Sequence, residues 1–141
     1  MSALHFFDTN ILLYSISRSG DEAAKRERAV GLLDEDGGAL SVQVLQEFYV
    51  QATRVTRPDP LPHEIAAGLI RTWMRFEVQD VTASVLTQAL DLKVSQGFSY
   101  WDSAIITAAK TLGCRTLYSE DMAHGREVEA NSLHYSVVRL V

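Results

Sequence analysis

The stretch Leu4-His5-Phe6-Phe7-Asp8-Thr9-Asn10-Ile11-Leu12-Leu13-Tyr14 decides the reading of the fold. Leu4 to Phe7 is a short apolar run and predicts a buried strand. Asn10 to Ile16 is apolar again and predicts a helix. Between them stands Asp8, an acid at the end of an apolar strand, where a surface carboxylate has no reason to be.

Working outward, the same alternation recurs. Asp21 to Leu33 is charged and amphipathic, with Asp21 as its expected N-cap and Gly37-Gly38 beyond its end. Ala39-Leu40 predicts a brief strand. Ser41 then caps a helix to about Val55, whose apolar positions Val44, Leu45, Phe48, Tyr49 and Ala52 keep helical spacing. Three prolines make Arg57 to Pro62 a loop. A helix follows from His63 to about Trp73, then a strand from Phe76 to Val81. Thr82 or Ser84 opens a further helix that Gly97 ends. Ser99 caps the next, and Gly113 stops it. Strands are expected from Arg115 to Ser119 and from His134 to Leu140. Short apolar strands alternating with helices predict one three-layer α/β domain, residues 1–141, with a mainly parallel sheet. In such sheets the site lies at the carboxyl ends of the strands, where strand order reverses.

Bulk properties bound the function. The chain has 141 residues, 47% hydrophobic and 22% charged, which fits one globular domain with a core. Its formal net charge of −5 argues against nucleic-acid binding by overall basicity. Cations at a cluster of acids would change that count. No apolar run is long enough for a membrane span, and Met1 to Gly20 does not resemble a signal peptide. A lone cysteine, Cys114, forms no internal disulfide, so a cytoplasmic location is the expectation. No phosphate loop, G-x-G-x-x-G, G-x-S-x-G or H-E-x-x-H pattern is present; the histidines are His5, His63, His124 and His134.

Three more acids share the awkward setting of Asp8: Glu47, Asp102 and Asp121. Each has an ordinary structural explanation. Asp8 suits an N-cap or Asx turn. Glu47 sits about 60° around its helix from Val44, on the flank of the apolar stripe, at roughly 100° per residue. Ser99-x-x-Asp102 has the shape of a capping box, yet Ile105, Ile106 and Ala109 share the Asp102 face. Asp121 suits a turn, and Glu120 competes with it for any role. Together the four stand at strand ends or helix starts that can converge on one sheet edge. Clustered carboxylates need a counter-charge, and oxygen-only ligands favour Mg²⁺ or Mn²⁺ over zinc.

Asp8-Thr9-Asn10, the helical Glu47, Tyr100-Trp101-Asp102-Ser103-Ala104 and Ser119-Glu120-Asp121 resemble, in order, the motifs of PIN-domain ribonucleases, and most closely those of VapC-type toxins of toxin–antitoxin pairs. The resemblance spans essentially the whole chain. It implies a parallel five-stranded sheet flanked by helices and Mg²⁺- or Mn²⁺-dependent endonucleolytic cleavage of RNA, with water as nucleophile. It also implies a cognate VapB-type antitoxin and a homodimer. On that analogy Asp8, Glu47, Asp102 and Asp121 hold the metal, and Thr9, Asn10, Ser119 and Glu120 orient carboxylates or water. One departure is Asn131-Ser132-Leu133, where many such toxins carry an Asn-Pro-Phe-like ending.

Two other readings remain. One is a catalytically silent PIN fold that binds RNA or protein. The other is a Mg²⁺-dependent phosphatase or receiver-like domain, although Asp8-Thr9-Asn10 lacks the second acid of an Asp-x-Asp motif. Arg54, Arg57, Arg71 and Arg75, with Trp73, are either a phosphate-gripping surface or a solvated helical hairpin. Leu69, Ile70, Trp73 and Met74 are read as partner contacts or as core.

Overall fold

The computed structural model describes residues 4–120 in full, and the backbone of two further strands at 127–130 and 133–138. Six strands form one sheet: β1 (His5–Phe7), β2 (Gly38–Ser41), β3 (Glu77–Gln79), β4 (Thr116–Tyr118), β5 (Glu127–Ala130) and β6 (Leu133–Val138), in the order β3-β2-β1-β4-β6-β5. Neighbours pair in parallel from β3 through to β6, while β5 runs antiparallel to β6 on the edge. The five-stranded parallel sheet is therefore present, with a sixth, antiparallel strand added to it.

β1 is central because its side chains tolerate burial on both faces. Phe6 and Phe7 are both buried. The phenylalanines pack with Leu40 of β2 and Leu117 of β4 in one core. The chain moves from β1 to β2 to β3 on one side, then returns to lay β4 on the other. Strand order thus reverses at β1, and Asp8 follows immediately.

Among the described residues six α-helices cover the sheet: α1 (Thr9–Ser15), α2 (Ala23–Asp34), α3 (Val42–Thr53), α4 (His63–Trp73), α5 (Ala83–Gln96) and α6 (Tyr100–Thr111). They pack in two groups, α1 to α4 as neighbours and α5 against α6, which makes the three layers. Sequence caps account for three starts. Ser41 accepts from the Val44 N–H, Thr82 from the Val85 N–H and Ser99 from the Asp102 N–H. Gly97 and Gly113 each take φ of +76° at a helix end, a conformation that a Cβ would disfavour.

One expectation changes. Asp21 is not the N-cap of α2: Gly20–Glu22 forms a 3-10 turn, and Glu22 takes the cap position with no side-chain cap bond. The Ser17 hydroxyl holds Glu22 by donating to its Oε1 at 2.6 Å. Of the two readings of Trp73, surface or core, the structure has the core. The side chain is buried, with its ring edge-on to Phe48 at 4.8 Å between centroids. Among the described residues no helix is long and apolar enough to cross a membrane.

Candidate active site

The site forms at the carboxyl ends of β1, β2 and β4. Asp8 caps α1 from extended backbone (φ −71°, ψ 163°), and its Oδ1 accepts from the Thr9 N–H at 2.7 Å. Its own N–H donates to the Tyr118 carbonyl of β4 at 3.0 Å. The Ser119 hydroxyl, completely buried, donates to Asp8 Oδ2 at 2.6 Å. Both oxygens of a nearly buried carboxylate are thereby engaged, which offsets much of the cost of its burial.

Glu47 arrives from α3. Its cap, Ser41, is the last residue of β2, so the helix starts at the Asp8 edge. Glu47 lies five residues in, about 7.5 Å along the axis. There its Oε2 accepts from the Thr9 hydroxyl at 2.7 Å and its Oε1 from Gln43 Nε2 at 3.0 Å. Thr9 therefore joins the two acids: its N–H goes to Asp8 and its hydroxyl to Glu47. Gln43 was not foreseen, although its i, i+4 spacing from Glu47 is a readable signal.

Asp102 stands in the first turn of α6. The far end of that helix is tied to the start of β1, because the Arg115 N–H that follows it donates to the Leu4 carbonyl at 3.1 Å. Twelve helical residues span about 18 Å. The first turn of α6 therefore falls at the opposite edge, that of Asp8. Its Ser99 cap is present, and the next residue, Ser103, has a buried hydroxyl without a hydrogen-bond partner among the described residues.

Asp121 lies outside the described residues, as do Asn131 and Ser132. Among the described residues, no three His, Cys, Asp or Glu side chains make a metal-holding group. Glu120 Oε1 lies 3.1 Å from Lys25 Nζ of α2. That bond, followed by the Tyr14 hydroxyl at 3.5 Å, raises the Lys25 pKa above its ordinary value.

Asn10 differs from Thr9 and Ser119. Among the described residues its carboxamide Nδ2 and Oδ1 are both buried and neither has a hydrogen-bond partner. A buried polar group of that kind asks for a ligand, such as a hydrated ion. The carboxylate oxygens of Asp8 and Glu47, joined through Thr9, are hard donors of the kind a divalent cation takes.

Arg75 is held away from the acid edge. Arg75 donates to the Leu33 carbonyl at 2.8 Å and lies over the Phe76 ring, beside the amino ends of β1 to β3. Leu69 and Ile70 are partly buried against the core, and Met74 lines an apolar groove of about 510 Å³ between α3 and α4.

The PIN domain family model matches residues 5–126 of this sequence. No curated protein matches the chain. Solved structures do match it, at identities that speak for the fold alone. The Mycobacterium tuberculosis toxin VapC20, described as cleaving the sarcin–ricin loop, is 21% identical; the match covers 83% of this chain and 91% of that one, with a TM-score of 0.65. A toxin–antitoxin complex from Klebsiella pneumoniae is 18% identical, covering 85% and 87%, at 0.63. VapBC2 from Rickettsia felis, bound to a DNA fragment from its promoter, is 17% identical, covering 96% and 98%, at 0.63.

Proposed function

Because the chain belongs to the PIN domain family, we propose that it is a metal-dependent endoribonuclease, the toxin of a toxin–antitoxin pair. The carrying observation is the Asp8–Thr9–Glu47 linkage at the point where strand order reverses. The α1 cap uses Asp8 alone, and the second carboxylate, Glu47, is no part of it.

Asp8, Glu47, Asp102 and Asp121 are the residues that would hold Mg²⁺ or Mn²⁺. When bound, the cation supplies an acidified water and offsets charge on the phosphodiester. Ser119 and Thr9 fix the rotamers of Asp8 and Glu47, so the acids are oriented before substrate arrives. Water attacks phosphorus, the bond to the 3′ oxygen breaks, and that oxygen takes a proton. The products carry a 5′-phosphate and a 3′-hydroxyl, with no covalent enzyme intermediate.

The sarcin–ricin-loop activity named for the Mycobacterium tuberculosis toxin supports RNA as substrate. The Klebsiella pneumoniae toxin–antitoxin complex and VapBC2 from Rickettsia felis support an antitoxin partner of the VapB type, and a homodimer is part of the same reading.

The test is cleavage of structured RNA by purified chain freed of antitoxin. Cutting should require Mg²⁺ or Mn²⁺, stop with chelator, and vanish in Asp8→Asn and Asp102→Asn variants that keep the parent circular dichroism. Metal-loaded protein that binds RNA without cutting it would instead make the chain a silent binding module.

A further inference from the structure

A pocket of about 230 Å³ opens beside the acid edge. Two observations tie it to the site. Gln43 lines it and also donates to Glu47. Tyr100 and Trp101 line it and immediately precede Asp102 in α6.

Trp101 is 63% exposed, an unusual state for the side chain with the most apolar area to lose. It meets Tyr100 edge-on, with centroids 5.2 Å apart and planes at 73°. That contact restrains the indole while most of the residue stays open to solvent. Val85 and Leu86 form the opposing apolar wall, and Gln43 and Gln46 supply carboxamides at the rim. Among the described residues the charged group that lines the pocket is Asp80, and no lysine or arginine lines it. It therefore has nothing to grip a phosphate and suits a flat heterocycle whose edge N–H groups a carboxylate can accept from. Its volume also falls below the roughly 300–1,000 Å³ of pockets that enclose drug-sized ligands, which points to one ring system rather than a peptide helix.

We propose that this pocket takes an unpaired nucleobase of single-stranded RNA, stacked on Trp101 with its edge read by Gln43 and Gln46. The RNA identity rests on the ribonuclease reading above. A base seated there sets which phosphodiester lies at the acids, so the pocket determines where the strand is cut. A base within a duplex cannot reach it, because stacking on an aromatic side chain requires a base free of its neighbours.

The chain has two tryptophans, and Trp73 is buried, so quenching of solvent-exposed emission reports on Trp101. The full Asp8→Asn chain, titrated with short oligoadenylate and oligouridylate in Mg²⁺, should lose that emission. A duplex of the same length should not quench it. Trp101→Ala should weaken single-strand binding, read by anisotropy of labelled oligonucleotide, by roughly 5- to 100-fold, while Trp101→Phe keeps most of the affinity. Absence of quenching, equal quenching by duplex, or unchanged affinity in Trp101→Ala overturns the proposal. So does a Trp101→Ala chain that loses self-association in sedimentation while binding RNA as the parent does. Cleavage by the unsubstituted chain separates the two readings. Cutting that proceeds with unchanged KM in Trp101→Ala refutes the pocket and leaves the nuclease. Quenching by single strands without any cutting by the metal-loaded parent refutes the nuclease and leaves the pocket.

Discussion

Ser119 and Asp8 are 111 residues apart in sequence, yet the Ser119 hydroxyl donates to Asp8 Oδ2 at 2.6 Å. They stand just past the ends of two adjacent parallel strands, β4 and β1. The bond closes the sheet edge and points the carboxylate at the same time.

Ser119→Ala tests both roles. Losing a donor to a buried carboxylate should cost about 1–3 kcal/mol of stability. Mn²⁺ affinity and RNA cleavage should fall by roughly 10- to 100-fold, as for other groups that orient metal-binding carboxylates. Calorimetric Mn²⁺ titration beside a urea melt separates the two effects. Unchanged Mn²⁺ affinity in a destabilised variant would confine Ser119 to a structural role.

Thr9 offers a cleaner substitution. Thr9→Val keeps shape but removes the donor to Glu47, whereas Thr9→Ser keeps the donor. The Thr9 N–H bond to Asp8 survives in both. Valine should lower kcat by about 10- to 100-fold at nearly constant KM, and serine should stay close to the parent. Equal rates for the two variants would remove Thr9 from the site.

How far the sequence reveals this arrangement varies by residue. Ser41, Thr82 and Ser99 are legible as caps because a hydroxyl before an apolar periodic run has one favourable local use. Asp21 looks the same on paper, but Gly20 lets the chain enter a 3-10 turn first, and the Ser17–Glu22 bond settles the entry. β5 is hidden because Glu127, Val128, Glu129 and Ala130 make no apolar run; the strand exists by pairing with β6. Trp73 sits between Arg71 and Arg75 and reads equally as surface or core, since only the tertiary meeting with Phe48 decides its burial. In the site, the acids are legible as misplaced charges. Their connections through Thr9, Ser119 and Gln43 are not, because they cross between elements or depend on rotamers.

Trp73 and Phe48 should behave as core. Trp73→Ala removes a buried ring from an edge-on pair and should cost about 3–5 kcal/mol, seen as a large fall in melting temperature. RNA affinity of the fraction that remains folded should not change. A small stability loss with weakened RNA binding would return Trp73 to the surface role that its arginine neighbours suggest.

Cys114 carries a pH dependence that can be isolated. Burial behind α6 lifts its thiol from the ordinary 9.0 to about 12. The protonated form is favoured in the fold, so this contribution is complete below pH 9 and is lost as pH climbs from 9 towards 12. The slope is about 1.4 kcal/mol per pH unit in that window. Cys114→Ala leaves a small cavity but removes the titration. Between pH 8 and about pH 10.5, the parent should therefore lose roughly 2 kcal/mol more than the variant in urea melts. Groups common to both proteins cancel in the difference. The same burial should leave the native thiol inert to iodoacetamide at pH 8 and reactive on unfolding. Matching pH slopes for parent and variant, or fast labelling of the native chain, would place Cys114 nearer to solvent than its packing indicates.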